Sequence, residues 1–231
     1  MGGSGIRFDR TTTYLAAAKV GDAIRPYVYR FALCGSYRRG LTTCGDADIV
    51  AIPSGPSKAV IDAARAVCVG GKSETEGSDQ IFGKVLIGET PVDFQLWLTT
   101  AEAWGAALYY VTGSRKFNVV MRGIAKKRGF QLNQYGVFKR SGSKPIPGAA
   151  FSERAVCRSI GVQWLPPEAR TGEWGGWTVS EEYRQSDSYK ILMSKSGKSS
   201  AATHRKGSPA SESKRLVPMS KKMERYWGSK K

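Results

Sequence analysis

Two short runs, DADIVAI at 46–52 and VDFQLWL at 92–98, constrain this chain more than any other feature. Side chains alternate faces along a strand, so a period of two reads as an extended segment with unlike faces. Ala47 and Ile49 then point towards a core, while Asp46 and Asp48 share the other side. Val92, Phe94 and Leu96 form a second buried face, with Asp93 and Gln95 opposite. If the two strands are neighbours, three carboxylates meet on one sheet face. Mg²⁺ favours such oxygen donors together with phosphate oxygens. Two such ions can activate an attacking oxygen and stabilise a leaving one in phosphoryl-type transfer. A bare DxD is more often a pair of solvated strand carboxylates, so the surrounding sequence decides.

Around these runs, strands and helices are mixed. Helices are predicted over 11–25, 56–69, 101–111, 115–128 and 152–161, and strands over 28–34, 46–52, 80–88 and 91–98. A hairpin is predicted over 130–140, running on through a Gly/Pro-rich stretch to 148. The expected class is α+β or α/β. The 231 residues, 41% hydrophobic, suffice for one sizeable domain or two small ones. The single histidine, His204, excludes a Ser-His-Asp triad in the main body and any zinc site needing two histidines. None of the four cysteines forms a CxxC pair, so reduced thiols are expected. No apolar run approaches the roughly 20 residues of a membrane span, and no signal-peptide pattern opens the chain. A soluble, intracellular protein with no membrane partner is expected, in cytoplasm or nucleus.

The net charge of +17 points to a polyanionic partner, most simply nucleic acid. The charge is uneven: residues 186–231 hold twelve Lys/Arg and three acids, a net +9. This stretch is rich in Ser, Gly and Ala and lacks apolar periodicity, so a mostly disordered basic tail is predicted.

Upstream of the carboxylates, at a strand end, stands Gly35-Ser36-Tyr37-Arg38-Arg39-Gly40. A Gly-Ser turn offers N–H groups and a hydroxyl to a phosphate, and an arginine adds a charged fork. Gly45, just before Asp46, lets a ligand approach the backbone. Together these read as a triphosphate pocket beside a metal site. Gly71-Lys72-Ser73 and Gly197-Lys198-Ser199 resemble the end of a P-loop, but Ala66 and Leu192 occupy the earlier glycine position, which excludes both.

GSYRRG followed by GDADI resembles the family X DNA polymerases of the nucleotidyltransferase superfamily. So do VDFQLW around Asp93 and YYVTGSRKFNVVMRGIAKKRGFQLNQYGVF at 109–138, with Ser152-Glu153-Arg154 and WLPPEAR at 164–170. The match covers roughly 7–170. The resemblance implies a nucleotidyltransferase palm with a mixed or antiparallel sheet over 1–100. A small nucleotide- and template-binding subdomain over 101–175 and the basic tail over 176–231 would follow. Asp46 and Asp48 would bind two Mg²⁺ ions, with Mn²⁺ as a substitute. Asp93 would bind the catalytic one and help activate the primer 3′-hydroxyl. Ser36, Arg39 and Gly45 would hold the β,γ-phosphates of a dNTP; Arg7 is a further phosphate candidate at a different spacing. Tyr110, Val111 and Gly113 would flank the sugar, Asn118 and Arg122 would reach the minor groove, and Asn133 and Tyr135 would line the template side.

The departures are specific. Val111 replaces the family phenylalanine beside the sugar, which bears on ribonucleotide exclusion. Gln95 and Gln134 replace an arginine and a glutamate that pair during opening and closing in relatives, and two neutral amides cannot form that pair. Arg115 stands where some relatives carry an acid; it and Lys116 read equally as phosphate contacts or as solvated charges. Only about 34 residues precede Gly35, too few for a lyase domain or a helix-hairpin-helix region, so lyase activity is not expected. In this the chain resembles the reduced viral polymerases of the family. The expected activity is short gap-filling DNA repair synthesis on primed or gapped DNA, by a monomer. A template-independent, terminal transferase-like nucleotidyltransferase is the alternative, and a non-catalytic DNA-end binder a third reading. The tail reads either as a DNA grip, with Tyr226 and Trp227 among its cations, or as a solubilising or localisation segment.

Overall fold

A computed structural model of the chain describes residues 5–170. The expectation of a disordered basic tail over 176–231 therefore lies outside the described residues. The chain is α+β. A five-stranded sheet runs in the order β2 (Val28–Leu33), β4 (Ala47–Pro53), β7 (Thr90–Leu98), β6 (Gln80–Ile87) and β5 (Thr75–Glu76). The β4–β7 pair is parallel, while β2–β4, β6–β7 and β5–β6 are antiparallel, so the sheet is mixed. A small pair, β1 (Phe8–Asp9) with β3 (Thr43–Cys44), stands apart from it.

The period-two pattern divides this sheet into two chemically different faces. Ala47, Ile49 and Ala51 of β4 and Val92, Phe94, Leu96 and Leu98 of β7 are buried against α1 (Arg10–Ile24) and α3 (Ser57–Ala66). At about 25 cal/mol per Å² of apolar surface, this layer is the main source of fold stability. On the other face, Val50 and Ile52 pack with Trp104, Ala107 and Val111 of α4 (Trp104–Thr112). Helix α4 covers only part of that face. Asp46 and Asp48 lie towards the end of β4 that it leaves open.

Local signals set the helix ends. Asp9 caps α1, accepting from the Thr12 N–H at 2.7 Å. Helix α3 stops at Ala66, short of the expected 69: the backbone is already extended at Cys68, before Gly70 and Gly71 take positive φ. The Gly35-Ser36 turn is the first turn of a short helix, α2 (Gly35–Arg38). At Thr112-Gly113-Ser114 the chain closes α4 with Gly113 at φ 69° and opens α5 (Arg115–Lys127), where Ser114 Oγ accepts from the Phe117 N–H. Phe117, Met121 and Ala125, four residues apart, form the buried stripe of α5. A hairpin of β8 (Phe130–Asn133) and β9 (Gly136–Lys139) follows, then α6 (Glu153–Ser159), capped by Ser152. All four cysteines are buried and free, as the sequence suggested. Among the described residues no helix is long and apolar enough to cross a membrane.

Helices α4 and α6 meet at Gly105, where a Cβ would lie 2.1–2.4 Å from backbone atoms of Ser152. Gly105→Ala is expected to force the helices apart and cost about 1–3 kcal/mol of stability, read from the denaturant midpoint. An unchanged midpoint would show that the contact yields freely.

Candidate active site

The parallel β4–β7 register pairs Ala47 with Phe94 and Asp48 with Gln95, so the two acidic strands are neighbours. Gln95 Nε2 donates to Asp46 Oδ2 at 2.9 Å. Burial pushes the Asp48 carboxyl well above the usual carboxylate range, and the Asp46 charge adds to it. Burial also raises Asp46, more modestly. The two carboxyls lie side by side, and the charge on Asp46 makes ionisation of Asp48 harder still.

Asp48 also explains Gly35. That residue has φ 55°, and a Cβ on it would sit 1.8 Å from Asp48 Oδ2. Only glycine meets both demands. The start of α2 is thereby pressed against the carboxylates, bringing Ser36 beside them.

Two adjoining hollows open here. One, of ≈ 370 Å³, is lined by Ser36, Arg39, Gly45, Asp46 and Asp48, with Arg7 on its rim. A Cβ at Gly45 would meet no other atom within 4 Å, so nothing crowds the backbone at this point. Arg7 is held by Thr43, its Nε donating to Oγ1 at 2.7 Å. The second hollow, of ≈ 560 Å³, shares Arg39 and Asp48 and is walled by Gln95, Trp97, Tyr110, Val111, Gly113, Asn118 and Arg122. Ser36, Arg39, Gly45, Asp46 and Asp48 thus line one continuous cleft with Tyr110, Val111, Gly113, Asn118 and Arg122, whereas Asn133 and Tyr135 line neither hollow. Asn118 and Arg122 face it together, as their i, i+4 spacing on α5 requires. Asn118 Nδ2 donates to the Tyr110 carbonyl at 2.6 Å, so the groups assigned to the minor groove and the sugar are paired with each other.

Asp93 also lines neither hollow. Its Oδ1 lies 2.8 Å from Nζ of Lys84, its register partner on β6. Among the described residues no group of three or more His, Cys, Asp or Glu side chains could hold a metal ion. The donor chemistry of Asp46 and Asp48 still fits a divalent cation. Both carboxyls are half-buried and raised. The Arg39 guanidinium beside them donates to the Thr112 carbonyl.

Several residues have partners that the sequence did not disclose. Arg38, next to Arg39, turns away from the cleft. Its Nη1 and Nη2 meet the two Glu153 carboxylate oxygens at 2.8 Å each, and Nη1 reaches Thr112 Oγ1 at 2.6 Å. Arg170, fully buried, adds Nη1 to Glu153 Oε1 at 2.8 Å and donates to the Leu165 carbonyl. Burial alone would raise Glu153, but the two arginines hold it down at about 2. This network ties α2, which carries Ser36, to α4 and α6. Tyr135 Oη donates to Asp79 Oδ2 at 2.6 Å, joining the β8–β9 turn to the segment before β6.

Comparison with known proteins gives this architecture a family. The DNA polymerase beta palm model matches residues 10–68, and the DNA polymerase beta thumb model matches 107–171. The chain belongs to the family X DNA polymerases. Among family X relatives, it is 31% identical over 148 residues to the DNA polymerase/3′-5′ exonuclease PolX of Bacillus subtilis, covering 62% of this chain and 25% of that protein. It is 28% identical over 161 residues to DNA polymerase lambda of Rattus norvegicus, covering 59% of this chain and 28% of that one. With the repair DNA polymerase X of African swine fever virus it shares 29% identity over 75 residues, 32% of this chain and 42% of the viral protein. The chain thus spans less than half the length of these family X relatives.

Proposed function

We propose that this chain is a DNA-directed DNA polymerase that adds a dNTP to a primer 3′-hydroxyl in short, gap-filling repair synthesis, acting as a monomer. The observation that carries the reading is the continuous cleft, in which a half-buried carboxylate pair separates an anion pocket from a wall built by α4 and α5. In this reading residues 1–100 act as palm and 101–175 as nucleotide- and template-binding thumb.

The triphosphate lies in the smaller hollow, where the Ser36 hydroxyl, the Arg39 guanidinium and the open backbone at Gly45 meet its β,γ-oxygens. The sugar and base lie along Tyr110 to Gly113, and Asn118 exchanges its internal carbonyl for the minor-groove edge. Asp46, Asp48 and Asp93 would hold two Mg²⁺ ions, which supply Lewis-acid stabilisation of the entering and leaving oxygens when bound. The primer oxygen forms a bond to the α-phosphorus, the bond to the β-phosphate oxygen breaks, and pyrophosphate leaves. Asp93 accepts the hydroxyl proton. Ser36 and Arg39 hold the leaving pyrophosphate.

For that role Asp93 gives up its ion pair with Lys84. Lys84→Ala is expected to lower the Mg²⁺ concentration for half-maximal extension about threefold, since an exposed ion pair contributes up to about 1 kcal/mol. An unchanged or raised requirement would show that Lys84 does not compete for Asp93.

The functional test is extension of single-stranded, primed and gapped DNA with dNTPs. Extension on primed and gapped substrates is expected. Equal extension of single strands would favour a template-independent transferase, and no extension on any substrate would leave only a DNA-binding role.

A further inference from the structure

A third hollow, of ≈ 630 Å³, lies between α5 and the β8–β9 hairpin, beyond the nucleotide cleft. We propose that it holds the unpaired template strand 5′ of the coding base, as a single-strand platform; this rests on the template-directed reading.

Four observations support it. First, the groove has an apolar floor, with Phe130 and Leu132, and a cationic rim of Arg122, Lys126 and Arg140. Unpaired nucleic acid is gripped by this combination, because every base has an apolar face and every linkage a negative charge. Second, these three cations have no carboxylate partner within salt-bridge distance among the described residues. Arg122 and Lys126 are one helical turn apart, about 6 Å along the axis. Third, Gly123 sits inside α5 and lines the groove, and a Cβ there would meet nothing within 4 Å. A glycine inside a helix costs about 1 kcal/mol relative to alanine. No packing contact explains it here, whereas a ligand lying close to the helix backbone would. Fourth, Val119 and Arg122 line both this groove and the nucleotide cleft. Val119 is 61% exposed on the ridge between them. A strand that leaves the coding position therefore passes directly from one hollow to the next.

The groove makes affinity depend on how much single strand the template offers. The test is fluorescence anisotropy of the full chain on primer–templates with 5′ overhangs of one, three and six nucleotides, with extension followed on the same DNAs. Wild-type Kd is expected to fall about tenfold from the shortest to the longest overhang, the scale of stacking one base. The double variant K126E/R140E, and separately Gly123→Leu, which fills the groove, should bind all three alike. Both should extend the one-nucleotide overhang at the wild-type rate. A wild-type Kd independent of overhang length would overturn the inference. So would variants that weaken all three lengths by the same factor, since that is a loss of general charge attraction. Wild-type protein that binds with the length trend yet extends none of the DNAs would instead sink the polymerase reading, and with it the strand's role as template.

Discussion

Asp48→Asn should abolish primer extension and, in a chelating buffer, make the protein harder to unfold. The two effects share one cause. Asp48 lies beside Asp46; burial raises both carboxyls, and the Asp46 charge adds to the shift of Asp48 as the Asp93 charge does to that of Asp46. Between the ordinary aspartate pKa near 3.8 and the raised value, the folded state binds more protons than the unfolded one. Stability therefore falls as pH rises through that window. An asparagine removes one charge and offers an N–H to Asp46. A relief of about 1 kcal/mol would raise Tm by about 2–4 °C in a chain of this size. The same change removes a cation ligand, and extension should drop about a thousandfold or more, the effect of losing several kcal/mol of charge stabilisation in the transition state. Thermal melts in EDTA and single-turnover extension measure the two halves. A variant that melts lower and still extends would contradict both.

Glu153→Gln should produce the largest loss of stability. Glu153 accepts from Arg38 and Arg170, and all three are largely or wholly withdrawn from water. Replacing the carboxylate with an amide leaves two buried guanidinium groups uncompensated. Breaking a buried pair in this way typically costs about 3–5 kcal/mol. The pH dependence has the opposite sign to that of Asp48. Glu153 is held at about 2 against an ordinary 4.5, so its contribution is fully present above pH 4.5 and lost as pH falls towards 2. Urea titrations at pH 7 and pH 3 read both effects. The gap between wild type and variant should be large at pH 7 and narrow at pH 3. A gap below about 1 kcal/mol at pH 7 would mean that the network adds little to the join between α2 and α6. Because α2 also carries Ser36, a loosened join should raise the KM for dNTP.

Periodicity made one layer of the fold legible in advance. The alternation in 46–52 and 92–98 assigned each side chain to the correct sheet face, because a strand has only two faces and one was apolar. The break at Thr112-Gly113-Ser114 was equally readable, since a positive-φ glycine followed by a serine cap is a local event. Pairing across distance was not. Nothing near Glu153 announces that it meets Arg38, 115 residues earlier, and the two arginines of the SYRRG run look alike until the fold turns one inward. The same holds for Lys84 and Asp93, which are joined only by the β6–β7 register. The two glutamines at 95 and 134 were visible as departures. That Gln95 holds Asp46, and that Tyr135 ties the hairpin to Asp79, followed only from the tertiary arrangement.

The central claim is that this cleft joins nucleotides under the direction of a template. Single-nucleotide incorporation opposite each of the four template bases, with each dNTP offered alone and Mg²⁺ present, tests it most directly. The account predicts that the complementary dNTP is added fastest opposite every base and that Asp48→Asn adds none. Incorporation indifferent to the template base, or undiminished in Asp48→Asn, would contradict it.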